Sequence, residues 1–353
     1  MPSKPPSEVL AALADRGAPV PEAAWGDFWD RLAGQELHPG EALAVLVSLT
    51  TKTPDGASIS ALMQSLRQRN PQPDPPPAPT VNIVGTGGGP STFNLSTASA
   101  FVGAALGARV IKTGSRAYKS RTGSVDLLDR LGIRMTGSYE ETEELLGTVG
   151  IACAGPFVYP RELRLLARTI LPFDMKTMGR FFNVIGPFLA AVPVTRQITG
   201  VSDHSMLPTF RELAADDPSK DFWLCSNELG ADELLSIVES QVYDSARGEE
   251  FTLKPAEIGL GAGSFDDLLP VQDMDGIVDH FMALLGGDGP PAAIESIRLN
   301  AAAMAINGEV ASEWPDALGL AADAMASGEA VRLIERLRTH GKESAGAGTE
   351  SHA

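Results

Sequence analysis

Cysteine and histidine are scarce in this chain. It has 2 cysteines and 5 histidines in 353 residues, and Cys153 and Cys225 lie far apart in apolar stretches. These two cysteines form neither a CxxC metal site nor a disulfide framework, which fits a reducing cytoplasm. The histidines are scattered without HxxxH or HExxH spacing, so the sequence gives little support to a zinc enzyme or a histidine-based triad.

Long apolar runs and excess positive charge are also lacking. No run of about 18 apolar residues occurs, so we expect no transmembrane helix. The first residues lack the apolar run of a signal peptide, and we expect a cytoplasmic protein. Asp and Glu number 45 against 28 Lys and Arg, which gives a formal net charge of −17. Such a surface repels phosphate backbones, which disfavours nucleic acids and anionic membranes as partners.

Glycine and proline are abundant instead. The chain has 36 glycines and 26 prolines, and six of the prolines fall within residues 70–79 (NPQPDPPPAP). Such a segment is neither helix nor central strand, and it is typical of a stiff connector. Before it, PGEALAVLVSLTTK and SISALMQSLRQR carry apolar residues at helical spacing. We therefore expect a small all-helical domain over residues 1–69 and a linker over 70–79.

After the linker, the chain alternates strand and helix signals. VNIVG (81–85), ARVIKTG (108–114) and IACAG are apolar strand candidates, and a further strand is expected near Ile133. Helical patterns separate these candidates, which predicts an α/β fold with a mainly parallel central sheet flanked by helices. We expect this large domain over residues 80–338 and a small, polar, disordered tail over 339–353.

The densest functional signal is VNIVGTGGGPSTFNLST. A strand runs into the glycines of residues 85–89, and the next helix carries Asn94, Ser96 and Thr97 in its first turn. Glycines let backbone N–H groups approach an anion closely, and a helix N-terminus adds partial positive charge. The pattern is neither GxGxxG, because Pro90 takes the place of the third glycine, nor GxxxxGK[ST]. It favours a phosphate-binding loop over a flexible loop with an ordinary N-cap.

A basic cluster follows the second strand in this otherwise acidic chain. Its members are Lys112, Arg116, Lys119 and Arg121, interspersed with Ser115, Ser120 and Ser124. Lys112 stands at the carboxyl end of a strand, where ligands of open α/β sheets bind. Beside a glycine loop, the cluster indicates a small ligand with several negative charges rather than an ordinary solvated loop.

An acidic pair stands in the segment Gly230-Ala231-Asp232-Glu233. Adjacent carboxylates at a loop-to-helix junction can hold Mg²⁺, which prefers carboxylate, water and phosphate oxygens. Taken alone, such a pair more often complements a helix dipole.

Together these elements resemble the anthranilate phosphoribosyltransferase family. The resemblance runs through LMQSLR, GTGG, NLST, KTGSR, GSVDLLDRLG, FFNVIGPF, GADE and RLNAAAMAINGE and covers most of residues 28–338. It implies a small helical domain, completed by helices from about 165–195, joined to a large α/β domain in a homodimer formed through the small domains. It also implies Mg²⁺-dependent transfer of phosphoribosyl from phosphoribosyl diphosphate (PRPP) to an aromatic amine, as in tryptophan biosynthesis.

The family's motifs assign roles to single residues, and with them a metal role for the acidic pair becomes the favoured interpretation. The positions that match PRPP binding are Gly85, Thr86, Gly87, Gly88, Thr92, Asn94, Ser96, Thr97, Lys112, Ser120 and Ser124. The metal positions are Ser96, Asp232 and Glu233. Lys112 and Arg168 are the catalytic candidates, and the acceptor-side candidates are Thr113, Ser115, Tyr159, Arg168 and Arg180.

The chain also departs from the family's pattern. The family's GTGGD loop ends here in Gly89, and its KHGN reads KTGS over residues 112–115. Its HHP reads VYP over residues 158–160, and the arginine of its RTxFN is displaced to Arg180. The PRPP half is thus largely kept, whereas the acceptor half is rewritten. This leaves the acceptor open between anthranilate and another aromatic or heterocyclic amine.

The chemistry follows from the leaving group. Departure of diphosphate builds positive charge on the ribose ring, so the enzyme must neutralise the leaving group and hold the amine nitrogen in line. The glycine-loop amides, Lys112 and Mg²⁺ are expected to do the first, and an aromatic amine needs no strong base. Two alternatives stay open: a nucleoside phosphorylase of related fold, and a non-catalytic paralogue that binds a protein or a nucleic acid.

Overall fold

The computed structural model describes residues 5–15, 17–114, 123–271, 273 and 275–350, and for 342–350 the backbone only. The helices are α1 (Glu8–Asp15), α2 (Glu22–Ala33), α3 (Glu41–Thr51), α4 (Gly56–Arg69), α5 (Leu95–Ala105), α6 (Ser124–Arg130), α7 (Tyr139–Thr148), α8 (Arg161–Thr169), α9 (Met175–Met178), α10 (Arg180–Val184), α11 (Gly186–Leu189), α12 (Leu207–Ala215), α13 (Ile277–Leu285), α14 (Pro291–Asn307), α15 (Trp314–Ala326) and α16 (Glu329–Glu350). The strands are β1 (Val81–Gly85), β2 (Val110–Lys112), β3 (Ile151–Cys153), β4 (Arg196–Gly200), β5 (Asp221–Asn227), β6 (Ser240–Asp244) and β7 (Glu249–Leu253).

The chain divides into two compact units. The first comprises Met1–Asp74, Phe157–Val192 and Ser205–Pro218, and the second comprises Pro75–Pro156, Pro193–His204 and Ser219–Ala353. All strands among the described residues belong to the second unit, so the first is a helical unit and the second an α/β unit. From the sequence, the helical domain was expected from residues 1–69 and about 165–195 only; the structure adds the segment that contains α12.

Aromatic side chains on α2 form the core of the helical unit. Trp25, Phe28 and Trp29 are fully buried, and their spacing places them on one face of a helix. The rings of Trp25 and Trp29 stack with centroids 5.8 Å apart. Trp29 Nε1 donates a hydrogen bond to Ser65 Oγ on α4 at 3.1 Å, so this buried polar atom is satisfied.

Helix α12 joins the helical unit through apolar and ionic contacts. Phe210 stacks on Phe188 with ring centroids 5.0 Å apart. Arg67 on α4 forms an ion pair with Asp217 at 3.7 Å. Arg67 and Asp217 lie far apart in sequence, so local patterns do not reveal that α12 belongs here.

A seven-stranded sheet forms the centre of the α/β unit. Its strand order is β3-β2-β1-β4-β5-β6-β7. The first five strands in this order, β3, β2, β1, β4 and β5, pair in parallel. Strands β6 and β7 pair antiparallel at the other end of the sheet. Helices flank this sheet, so the predicted fold class, a small helical part with a mainly parallel α/β part, is confirmed.

Small residues allow helices to pack closely in the α/β unit. Residues 301–305 of α14 are four alanines and Met304, and all five are fully buried. On α5, a Cβ added to Gly103 would lie 2.4 Å from Met304 Cε. Glycine at this position therefore allows Met304 to pack directly on α5. This packing fixes α5, the helix that follows the glycine-rich segment.

Two predicted strands differ in the structure. The strand expected near Ile133 is reduced to an isolated parallel bridge between Thr136 and Ala154. Ile133 itself lies in a turn after α6, where its N–H donates to Leu128 O at 2.9 Å and Gly132 has a φ of 70°. Ile133 is buried, so its apolar signal reflects packing below a helix end. The strand expected over residues 108–114 is limited to β2.

Helix α16 runs from Glu329 to Glu350 and so extends into the segment 339–353 that was predicted to be a polar tail. Leu333, Ile334 and Leu337 are buried and anchor its first turns. Extending an established helix needs no new nucleation, so polar residues continue it. Among the described residues, no helix is both long and apolar enough to cross a membrane.

Candidate active site

The strand order creates a crevice between β1 and β4. From β1 the chain runs to β2 on one side, and β4 lies on the other side. In open α/β sheets, ligands bind outside the carboxyl ends of the strands at such a point. Gly85, Lys112, Gly200 and Asn227 are the last residues of β1, β2, β4 and β5. The segments that follow these residues form the candidate site.

The glycine loop, residues 85–90, depends on close backbone approach. Gly87 and Gly88 have φ values of 70° and 92°, in the left-handed region that favours glycine. A Cβ on Gly89 would lie only 2.3 Å from Gly230 O. Any other residue at position 89 would therefore force the loop away from the segment of residues 228–233, the acidic loop. Gly89, a departure from the family's pattern, thus has a structural reason in this chain.

Ser202, which follows β4, braces the glycine loop. Its Oγ donates to Gly87 O at 2.5 Å, and its N–H donates to Thr86 Oγ1 at 3.2 Å. Thr86 N–H in turn donates to Gly200 O at 2.9 Å. These three hydrogen bonds tie the glycine loop to the end of β4 and the residues that follow it. The sequence predictions missed Ser202, because a lone serine after a strand carries no motif.

The acidic pair contacts both the glycine loop and the first turn of α5. Asp232 Oδ2 accepts from Gly87 N–H at 2.6 Å. Glu233 Oε2 accepts from Thr92 Oγ1 at 2.6 Å, and its Oε1 accepts from Ser96 N–H at 3.1 Å. The structure therefore brings together three elements that lie up to about 145 residues apart in sequence.

The electrostatics of this cluster follow from burial. Burial raises the pKa of Asp232, and burial together with the neighbouring Asp232 carboxylate raises the pKa of Glu233. Burial also lowers the pKa of the Lys112 ammonium to about 8, although both carboxylates act in the opposite direction. Two buried acids that repel each other favour a bound cation.

The residues present fit a magnesium ion. No group of three or more His, Cys, Asp and Glu side chains that can share a metal occurs among the described residues. Mg²⁺ usually needs fewer, because it keeps several waters and is held by one or two carboxylates together with substrate phosphates. Asp232 and Glu233 supply that number, and a cation beside them would relieve the repulsion between them.

Thr113 is held by a polar side chain inside the sheet, and Lys112 is bonded to the backbone of Thr113. Lys112 is 3% exposed, and its Nζ donates to Thr113 O at 2.5 Å. Asn82 Oδ1 accepts from Thr113 N–H at 3.2 Å, and Asn82 Nδ2 donates to Thr113 Oγ1 at 2.9 Å and to Gln197 Oε1 at 3.2 Å. The sequence predictions missed this network, because a single polar residue in a short strand, such as Asn82 in VNIVG or Gln197 in RQITG, carries no motif.

The remaining PRPP-side candidates line the start of α5 and α6. Asn94 is the N-cap residue of α5. Thr97 Oγ1 is buried and has no hydrogen-bond partner among the described residues. Ser124 begins α6, and its Oγ would lie 1.9 Å from a Cβ on Gly114. Of the other predicted residues, Ser115, Arg116, Lys119, Ser120 and Arg121 lie outside the described residues.

The acceptor-side candidates beyond residue 150 belong to the helical unit. Tyr159 is half-buried, and burial raises the pKa of its phenol to about 12. Arg168 in the last turn of α8 and Arg180 at the start of α10 are exposed. Thr113, by contrast, is a buried residue of the α/β unit.

Comparison with known proteins gives a consistent result. Residues 77–331 match the model of the family described as glycosyl transferase family, a/b domain. The chain is similar to an anthranilate phosphoribosyltransferase of Desulfitobacterium hafniense, with 31% identity over 334 residues, or 94% of this chain and 97% of that protein. It is 29% identical to the enzyme of the same name from Bacillus licheniformis over 89% of this chain and 92% of that protein.

Solved structures show the same fold. The crystal structure of anthranilate phosphoribosyltransferase from Thermus thermophilus superimposes with a TM-score of 0.78 at 26% identity, over 94% of this chain and 98% of that one. The enzyme from Saccharomyces cerevisiae, in complex with PRPP and Mg, gives a TM-score of 0.77 at 21% identity, over 94% and 96% of the two chains. At 21% identity, the similarity to the yeast structure shows the fold alone.

Proposed function

The chain belongs to the anthranilate phosphoribosyltransferase family, and we propose that it transfers the phosphoribosyl group of PRPP to the nitrogen of an aromatic amine. The resemblance stated from the motifs is thereby confirmed, and the protein is an enzyme of the pentosyltransferase class. The observation that carries the proposal is the meeting of the glycine loop, the first turn of α5 and the acidic pair at the crevice between β1 and β4.

In the proposed reaction, the bond between ribose C1 and the diphosphate oxygen breaks, and a bond between C1 and the amine nitrogen forms. Diphosphate leaves with the electron pair, and the amine loses one proton. The ring carries positive charge in between. The protein's part is to stabilise the leaving charge with groups fixed beforehand, which avoids reorganisation during the reaction.

The phosphate side of PRPP is assigned to the glycine loop and the start of α5. The helix N-terminus and the left-handed glycines favour an anion there. Thr97 Oγ1, buried without a partner among the described residues, has a donor to offer to a phosphate oxygen. Lys112 supplies a cation at the end of β2. The other residues of the proposed set are Gly85, Thr86, Gly87, Gly88, Thr92, Asn94, Ser96, Ser120 and Ser124.

Asp232 and Glu233, with Ser96, are the residues that would hold Mg²⁺. When bound, the ion would neutralise diphosphate charge in the leaving group. The carboxylates themselves position the site even without it, since each accepts a hydrogen bond from the glycine loop or from the segment leading into α5.

The acceptor is proposed to be anthranilate or a related aromatic or heterocyclic amine. Thr113, Ser115, Tyr159, Arg168 and Arg180 are the candidate residues on that side. With anthranilate, the reaction would belong to tryptophan biosynthesis. A homodimer and a cytoplasmic location stay predictions. No observation favours the nucleoside phosphorylase or the non-catalytic paralogue.

The test is an assay of diphosphate release from PRPP and Mg²⁺ with anthranilate and a panel of substituted aromatic amines. We expect release that depends on both Mg²⁺ and one class of amine. Reactions without amine and reactions with a nucleoside plus phosphate are the controls. Absence of release with every amine would count against the transferase, and base release from the nucleoside would favour a phosphorylase.

A further inference from the structure

One buried side chain contacts the backbone of the acidic loop at several points. Asn227, the last residue of β5, is 3% exposed. Its Nδ2 donates to Ala231 O at 3.1 Å and to Glu233 O at 3.0 Å. Its Oδ1 accepts from Ala231 N–H at 3.2 Å. A single amide side chain thus satisfies three backbone groups of the segment that carries the acidic pair.

These bonds require a bent backbone. Carbonyl oxygens two residues apart in extended strand are separated by about 6.7 Å. Two oxygens that share one nitrogen at 3.1 and 3.0 Å lie closer together than that. Consecutive side chains of an extended strand also point to opposite faces, whereas Asp232 reaches Gly87 and Glu233 reaches Thr92. The bend allows both carboxylates to serve one site.

The backbone of Asn227 supports the same bend. Its carbonyl oxygen accepts from Gly230 N–H at 3.0 Å and from His204 Nε2 at 2.9 Å; the ring nitrogen must be the donor, because a carbonyl only accepts. Gly230 has a φ of 66°, which lets the chain reverse. On the other side of Asp232 and Glu233, Asn300 Nδ2 donates to Leu234 O at 2.7 Å.

We infer that Asn227 is a positioning residue that holds Asp232 and Glu233 in the geometry needed to bind a divalent cation together with PRPP. For the identity of the ligand, this inference rests on the proposed function. Asn227 touches neither carboxylate oxygen; it acts through the backbone of the acidic loop. Residues that orient metal ligands in this way typically change metal affinity by about 10–100-fold when they are replaced.

The test compares two variants with a matched control. Asn227→Leu keeps the size and removes all three bonds, and Asn227→Ser removes both amide donors in case leucine does not fold. Asn307→Leu is the control, because Asn307 is a buried asparagine of the same unit whose amide donates to Ala303 O within α14. Circular dichroism confirms that each variant is folded.

Two measurements are made. Binding of Mn²⁺ in the presence of PRPP is followed by the electron paramagnetic resonance of the free ion, and we expect about tenfold weaker binding in both Asn227 variants and no change in the control. Backbone hydrogen exchange of the peptide that covers residues 228–234 is expected to become faster in the Asn227 variants alone.

The outcomes separate the two proposals. If the wild type binds no Mn²⁺ with PRPP and releases no diphosphate, the proposed function fails, and hydrogen exchange alone decides whether Asn227 orders the acidic loop. If the wild type binds Mn²⁺ and a folded Asn227 variant binds it equally well, the inference is overturned. Unchanged exchange over residues 228–234 would overturn it as well.

Discussion

The PRPP-side and acceptor-side candidates differ in how the chain holds them. On the PRPP side, Asp232, Glu233 and Lys112 are each fixed by hydrogen bonds to backbone or hydroxyl groups. On the acceptor side, Arg168 and Arg180 are exposed at helix ends. A site built from backbone contacts tolerates little change, whereas exposed side chains on short helices can be exchanged at small cost. The two arginines are therefore expected to tolerate substitution better than Asp232, Glu233 and Lys112, whereas Thr113, which is buried and bonded to Asn82, resembles the PRPP-side residues in this respect.

The largest expected effect comes from the acidic pair. The double variant Asp232→Asn/Glu233→Gln should lose at least about a hundredfold of the Mg²⁺-dependent diphosphate release, because the charge that holds the cation is removed. Glu228→Gln is the control, since Glu228 is an exposed carboxylate of the same loop, and it should stay within about twofold. Full activity of the double variant would contradict the metal assignment.

Gly89→Ala should have the next largest effect. The new Cβ would meet Gly230 O at 2.3 Å, and overpacking of this kind costs about 1–3 kcal/mol. We expect the KM for PRPP to rise by about tenfold, since the glycine loop and the acidic loop must move apart. Gly147→Ala on α7 is the control, because its Cβ meets nothing within 4 Å. Equal effects of the two substitutions would show that loop contact does not matter.

Arg168→Ala and Arg180→Ala test the acceptor-side candidates in the same way. Both side chains are exposed, so the free energy of unfolding should change by no more than about 0.5 kcal/mol. If one of them contacts the acceptor, its removal should raise the KM for the amine several-fold and leave the KM for PRPP unchanged. A change in the KM for PRPP instead would place that arginine on the phosphate side. Steady-state kinetics with each substrate varied in turn measures this.

The smallest effect on activity concerns Cys225 in β5. Burial raises the pKa of its thiol to about 12, above the usual value of about 8.5 in an unfolded chain. Between these two pKa values, the thiol stays protonated in the folded state, whereas the unfolded chain loses this proton. Its contribution to stability is complete below about pH 8.5 and declines by about 2 kcal/mol as the pH rises from 8 to 10.

Cys225→Ala should flatten that decline without changing activity at neutral pH. Denaturant unfolding at pH 8, 9 and 10 compares the slope of stability against pH in the two proteins. The difference between the slopes isolates this thiol from other groups that titrate in the same range, such as Lys112. Equal slopes for the two proteins would mean that the Cys225 thiol is reached by solvent in the folded state, contrary to its burial in β5.

The parts of the fold that were predictable from sequence are those set by local pattern. Strand and helix periods predicted the α/β class, and the glycines of the loop after β1 indicated its backbone chemistry. Ile133 misled, because burial below a helix end and burial in a strand leave the same apolar signal. The position of α12 was not predictable, because it depends on tertiary contacts such as the stacking of Phe210 on Phe188 and the ion pair of Arg67 with Asp217.

Candidate site residues that belong to a sequence motif were predictable. Residues that hold such a motif in place through hydrogen bonds were not. Asp232 and Glu233 stood out as adjacent acids, but their contacts with Gly87 and Thr92 cross about 140 residues of sequence. Asn82 and Asn227 looked like ordinary polar residues at or near strand ends. Only the packed structure shows that their amides satisfy backbone groups of the site.

The division of the chain has a consequence for its synthesis. The helical unit is complete only once Pro218 has been made, although its first segment ends at Asp74. At about 5–20 residues per second, a ribosome needs roughly 7–30 s to cover that interval. During this time, the apolar side chains of α4 have no α12 to cover them. Apolar surface of the first segment is uncovered in this interval, and no fragment ending at the linker should fold as the complete unit.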